Sequence, residues 1–180
     1  MMDRFDTANY NEATNKQMTT EYLEQLNAAA SYLIAQPEIR NLISLLKEKL
    51  KRVPEPFVWS TFDLESVGTC PPEKIKSGWI FVLKKDVPSG CHYHPNSTQH
   101  MVMIEGQGES NVGGVRKRMI QFGSDQHSLG HVWYVIPENT EHEFFPQDRD
   151  MVVISFHTCA ATQLEEINCN TGANRLYEPG

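Results

Sequence analysis

Two hydrophobic textures divide the chain. From residue 20 to about 52, apolar residues recur every three or four positions. Tyr22, Leu23, Leu26, Ala30, Leu33 and Ile34 fall on one face of a first helix, and Ile39, Leu42, Ile43, Leu46 and Leu50 on one face of a second. Thr19 and Thr20 offer a cap for the first, with Glu21 and Glu24 near its positive end. Pro37 suits the first turn of the second, lysines crowd its negative end, and Pro54 and Pro56 stop it. From Phe57 onward the apolar residues come instead in short β-rich runs: 57–59, 79–83, 101–104, 119–122, 132–136 and 151–156. Turn residues separate them, among them Pro88-Ser89-Gly90, Gly113-Gly114 and Pro137-Glu138-Asn139. Many short strands with such punctuation predict an all-β jelly-roll barrel or sandwich, preceded by two helices that serve as a cap or a dimer contact. The expected organisation is a loose arm over 1–18, a helical segment over 19–55, a barrel over 56–160 and a tail over 161–180, with a weak helical segment from Ala161 to Ile167. The turn after Pro137 is short, which predicts that the strands flanking it are neighbours.

Composition narrows this picture. At 180 residues the chain is long enough for a real core, and 39% hydrophobic with 22% charged residues is ordinary for a soluble globular protein. A net charge of −7 with one basic triplet, Arg116-Lys117-Arg118, argues against a nucleic-acid partner; the triplet reads as a charged strand. No apolar run approaches the ~20 residues of a membrane helix, so no membrane partner is expected. The N-terminus lacks a signal-peptide pattern, and Cys70, Cys91, Cys159 and Cys169 form no C-x-x-C pair, so reduced thiols and a cytoplasmic location are the expectation.

The chemistry concentrates in Gly90-Cys91-His92-Tyr93-His94-Pro95-Asn96-Ser97-Thr98-Gln99. In extended backbone, residues two apart share a face, so His92 and His94 can aim two imidazoles at one point while Cys91 and Tyr93 face away. Beyond Pro95, Gln99, Met101 and Met103 share one face and His100, Val102 and Ile104 the other. A third candidate imidazole, His142, opens a strand far downstream. His127 and His131 lie in a glycine-rich loop and read as solvent-exposed.

These segments resemble the two motifs of the cupin superfamily, whose double-stranded β-helix carries a metal. The first, G-x5-H-x-H-x3-4-E-x6-G, runs through His92, His94 and Gln99 to Gly106, with the leading glycine too close at Gly90. The second, G-x5-P-x-G-x2-H-x3-N, is matched by Gly130, Pro137, Asn139 in a glycine place, and His142, with one extra residue before the proline and no final asparagine. The resemblance covers roughly 57–158, and its first motif has germin-like spacing with Gln99 where glutamate is usual. It implies a metal-dependent cupin with His92, His94, His142 and Gln99 around one divalent transition metal: iron first, with zinc, nickel, copper or manganese as alternatives; a homodimer is also expected. Three-histidine cupins include iron-dependent thiol and diketone dioxygenases, and the missing glutamate disfavours germin-type oxalate chemistry. The neutral shell leaves the ion's charge uncompensated and favours an anionic substrate. Ser155-Phe156-His157 resembles the outer-shell S-x-H of the thiol dioxygenases, with Cys159 where that group has tyrosine, which offers His157 as a catalytic candidate; Tyr134 on the pocket wall is another. The implied function is a dioxygenase-type oxidoreductase acting on a small oxygenated or thiol-containing acid. Its alternatives are a non-catalytic small-molecule-binding or regulatory cupin, and a cupin isomerase or lyase.

Overall fold

The computed structural model describes residues 20–68, 71–124 and 127–177. The expected arm over 1–18 and Cys70 lie outside the described residues.

Helices α1 (Thr20–Ala35) and α2 (Pro37–Leu50) form where the apolar period predicts them, with Pro37 at the start of α2 and Gln36 in extended backbone before it. Both pack on a five-stranded sheet of order β1 (Phe57–Phe62), β2 (Ser77–Leu83), β9 (Met151–His157), β4 (Gln99–Glu105) and β7 (Tyr134–Ile136). Leu26, Ala30, Leu33, Ile43, Leu46 and Leu50 meet Val58, Ile80, Val82, Val102, Val152 and Ile154 on the sheet's outer face. An ion pair between Lys47 and Glu105 ties α2 to the end of β4. The other face of the sheet carries Trp79, Phe81, Met101, Met103, Met151 and Val153 into the barrel. Its central strands are therefore covered on both faces, which is why β2 and β9 read as continuous apolar runs and not as alternating ones.

The second sheet has the order β11 (Asn174–Leu176), β10 (Glu165–Asn168), β3 (His92–Tyr93), β8 (His142–Pro146), β5 (Gly108–Val112) and β6 (Val115–Arg118). All pairings between these named strands are antiparallel. The layers are thus helices, five-stranded sheet and six-stranded sheet.

Several expectations are corrected. The flanks of the Pro137 turn are not neighbours: β7 pairs with β4 and β8 with β3 and β5, so the turn carries the chain from one sheet to the other. Val132 ends a single helical turn, α3 (Leu129–Val132), and only Tyr134–Ile136 is strand. Residues 119–122 form no strand, Met119 N–H donating to the Gly108 carbonyl and Gln121 making an isolated bridge to Met103; the strands here are β5 and β6, a hairpin turned at Gly113-Gly114 whose polar residues gave little apolar signal, although the basic triplet does lie on a strand. The segment from Ala161 is one 3-10 turn (Ala161–Gln163) followed by β10, because pairing to β3 and β11 satisfies its backbone better than a lone marginal helix could. Cys91 and Cys169 are joined in a disulfide with their Cα atoms 5.5 Å apart, against the expectation of reduced thiols; Cys159 is free.

One position on β4 and one just beyond its end lend themselves to measurement. The strand's pairing with β9 shifts register between Met103 and Glu105, and Gly106 then turns the chain away with φ of 101°. A Cβ there would lie 2.6 Å from the Asp150 carbonyl oxygen and 2.8 Å from the Met151 Cα, both backbone atoms that cannot rotate aside. Gly106→Ala is expected to cost about 3 kcal/mol in urea unfolding; a loss under about 0.5 kcal/mol would contradict this packing. His100 faces outward, as its alternation predicts, but is buried under α1, its ring 5.4 Å from that of Tyr22. Burial pushes its pKa from 6.5 down to about 4, partly offset by a backbone hydrogen bond at Phe156. Because the unfolded chain takes up this proton first, the stability contributed is full above pH 6.5 and is lost as pH falls toward 4. His100→Leu should flatten the fall of melting temperature across that window, by an amount on the order of 3 kcal/mol in stability; an unchanged slope counts against it.

Candidate metal centre

The site is assembled from two strands and a turn. His92 in β3 and His142 in β8 are direct partners in the antiparallel register, with ring centroids 4.2 Å apart. His94, two residues on, brings its ring to 5.4 Å from His92 and 5.2 Å from His142. The turn between β7 and β8 is pinned to this strand by the Asn139 N–H, which donates to the His94 carbonyl (2.9 Å). Asn139 holds φ of 59°, the left-handed conformation for which the motif uses glycine and which asparagine tolerates. The three residues are buried, and one ring nitrogen from each lies within 4.8 Å of the others.

Hydrogen bonds on the far side of each ring decide what faces the centre. His92 Nδ1 meets the Gly90 carbonyl at 2.9 Å, His94 Nδ1 the Glu165 carbonyl at 2.7 Å, and His142 Nδ1 the Thr140 carbonyl at 2.8 Å. A carbonyl oxygen can only accept, so each Nδ1 carries the proton and each Nε2 presents a lone pair inward. His142 Nε2 is buried with no hydrogen-bond partner among the described residues. Burial, and then the neighbouring His92, push His94 down to about 4 and His142 well below 6.5, so both rings are held in the neutral form that ligates. Three converging imidazole lone pairs, one of them orphaned in the interior, fit a transition-metal ion, and His92, His94 and His142 could hold one.

Gln99 lines the same cavity. Its Nε2 donates to Ser155 Oγ at 3.0 Å, and Ser155 Oγ lies 3.0 Å from His157 Nε2. His157 Nδ1 in turn lies 3.2 Å from Ser97 Oγ. The chain of contacts turns the Gln99 amide so that Oε1 is buried without a partner among the described residues. His157 therefore stands behind Gln99, with its ring 5.2 Å from His94, and does not line the cavity; burial holds it neutral. It is linked to the Gln99 amide through Ser155. The Tyr134 hydroxyl donates to the Arg118 carbonyl at 3.1 Å, and its ring packs against the barrel-interior cluster without lining this cavity. His127 and His131 are exposed and remote from the cluster, as expected.

The cavity itself is narrow, about 30 Å³, walled by Phe57, Phe81, Leu83, Met101, Phe144 and Val153, with Glu166 and Tyr177 also in its lining. The last two come from the C-terminal hairpin and escape a reading of the sequence. Glu166 is buried, its Oε2 3.7 Å from His92 Nε2; the Tyr177 hydroxyl donates to that oxygen, and Arg175 Nη1 lies 3.3 Å from Oε1. Burial and the Glu166 charge hold the Tyr177 hydroxyl protonated. The alternation Glu166, Asn168 in a segment that looked helical was the available signal.

Two antiparallel sheets closed over a three-histidine cluster define a β-barrel protein with a candidate metal centre. The two antiparallel sheets preceded by two helices are the all-β, two-sheet arrangement expected from the sequence. No family model matches the chain and no curated protein does. Among solved structures it is similar to the coconut allergen cocosin (14% identity, TM-score 0.48, 64% of this chain and 29% of that one). It is also similar to a salicylate 1,2-dioxygenase from Pseudaminobacter salicylatoxidans (10%, 0.48, 65% and 33%) and to the Cnp3 cupin domain of Schizosaccharomyces pombe (10%, 0.43, 60% and 69%). The chain spans about a third or less of the length of the first two.

His142→Ala removes the ligand whose Nε2 is orphaned. In a competition titration with a chromogenic chelator, Co2+ affinity should fall at least about 100-fold while the circular dichroism spectrum is retained; wild-type affinity in the variant would show that the cluster is not the metal site.

Proposed function

We propose that this protein is a metal-dependent oxidoreductase of the dioxygenase type, acting on a small oxygenated or thiol-containing acid. The observation that carries the reading is the His142 Nε2 lone pair, buried without a partner among the described residues and clustered with the nitrogens of His92 and His94, which line an apolar cavity. His92, His94 and His142 would hold a divalent ion, iron by preference, which would supply redox chemistry toward O2 and bind the acid. The chain's own residues supply the rest. The aromatic and aliphatic wall excludes water, which strengthens every polar contact inside. Gln99 Oε1 is an acceptor for a substrate hydroxyl or thiol, and Ser155 with His157 keeps it aimed. A volume of about 30 Å³ is far below the roughly 300–1,000 Å³ of sites for drug-sized ligands, so the substrate has few heavy atoms.

Among the described residues no helix is long and apolar enough to cross a membrane. The Cys91–Cys169 bond fits an oxidising compartment better than the reducing cytoplasm expected from the sequence.

Oxygen uptake tests the proposal. Fe2+-loaded protein is offered glycolate, oxalate, cysteine, 3-mercaptopropionate and salicylate in turn. At least one acid should drive O2 consumption about tenfold or more above the His142→Ala background. Metal that binds tightly with no O2 consumption on any acid would contradict the oxidative reading and favour a binding protein or a metal-assisted isomerase or lyase.

A further inference from the structure

We propose that Glu166 is the charge-balancing carboxylate of the metal centre, supplying from the C-terminal hairpin the negative charge that Gln99 does not. The inference rests on the metal-centre reading above and adds a residue to it.

Three observations place Glu166 in that role. Strand β10 pairs with β3 so that Asn168 faces His92 and Ile167 faces Tyr93. Glu166 shares the face of Asn168, which is the inward one, and its side chain lines the cavity together with His92, His94 and Gln99. The hairpin is also fastened to the histidine strand at both ends. The Cys91–Cys169 disulfide and the Cys169 N–H to Cys91 carbonyl bond (3.0 Å) hold one end, and the His94 Nδ1–H to Glu165 carbonyl bond the other. Finally, the carboxylate is buried, and its partners do not match the cost of burial: Tyr177 offers a neutral hydroxyl, and Arg175 is half-exposed, its charge shared with water. A buried anion 3.7 Å from an imidazole nitrogen that faces a metal site is explained by the cation that site is built to hold.

Glu166 is not one of the cluster whose ligand atoms all lie within 4.8 Å of one another. Its role is therefore outside the coordination sphere, acting through charge. Three neutral imidazoles leave a divalent ion with its full charge, and Glu166 removes one unit of it beside the cavity. This revises the sequence-based expectation of a wholly uncompensated site: the preference for an anionic substrate is moderated to that of a site carrying one net positive charge, with Arg175 outside.

Such a role makes opposite predictions for two ligands. In Glu166→Gln, Co2+ affinity by chelator competition should fall about tenfold. Azide, a small monoanion read from the visible spectrum of the Co2+-loaded protein, should bind at least about threefold more tightly, because the site has gained a positive charge. A variant with a damaged fold would weaken both. Adding Gln99→Glu should restore the Co2+ affinity of Glu166→Gln. Should Glu166→Gln not fold, Arg175→Gln at the exposed end keeps the question open to measurement: freeing the carboxylate of a competing cation should tighten Co2+ binding. Co2+ and azide affinities of Glu166→Gln within about twofold of wild type, with His142→Ala still abolishing Co2+ binding, would overturn the role of Glu166 alone. Absence of Co2+ binding by the wild type would overturn this role and the metal-centre reading together.

Discussion

Three hydrogen bonds from imidazole Nδ1 to backbone carbonyls govern this molecule's chemistry. Each fixes a tautomer, stops a ring from turning and leaves Nε2 as a lone pair aimed at a common point. The acceptors come from three separate places: the turn before β3, strand β10 and the turn before β8. The centre therefore exists only when the six-stranded sheet is assembled, and the fold's other features can be read as the means of assembling it. The left-handed Asn139 turns the chain between sheets so that His142 lands opposite His92. The disulfide and the β3–β10 pairing bring the Glu165 carbonyl to His94.

The helices and five-stranded sheet form the rigid half of the molecule. Because the helices cover one face and the barrel interior the other, β2, β9 and all of β4 but Glu105 are buried, and the cavity wall they supply through Phe81, Met101 and Val153 has little freedom to move. The polar half of the site is carried on the thinner sheet, much of it on short strands and turns. This division puts packing where it fixes a wall and backbone carbonyls where they fix imidazoles. It also explains why Gln99, on the rigid sheet, needs its own tether through Ser155 and His157, since no backbone carbonyl among the described residues orients its amide.

What could be read from the sequence follows the range of the interactions involved. The two helices declare themselves because amphipathic period, proline and cap are local signals. The alternation His92–His94, and Gln99 against His100, needs only the pleat of one strand, and the side chains fall as the pleat requires. The jelly-roll architecture was accessible through strand number and turn spacing, and the likeness to two cupin motifs brought His142 to the pair. Pairing was not accessible: whether the Pro137 turn makes a hairpin or a crossing depends on which distant strand holds each flank. The same holds for Glu166, Arg175 and Tyr177, which reach the site because β10 docks on a strand some seventy residues earlier. The Cys91–Cys169 bond, 78 residues apart in sequence, is non-local in the same sense. The hydroxyl of Tyr134 ends at the Arg118 carbonyl, a contact set by tertiary packing that the pattern of its own strand does not reveal.

The central claim is that His92, His94 and His142 together hold one divalent ion through Nε2. Metal-edge X-ray absorption on protein purified without a histidine tag addresses it most directly. The account predicts about one transition-metal ion per chain, with the outer-shell scattering of three imidazoles. Metal-free protein that cannot be loaded, or a bound ion whose spectrum lacks imidazole scattering, would contradict it.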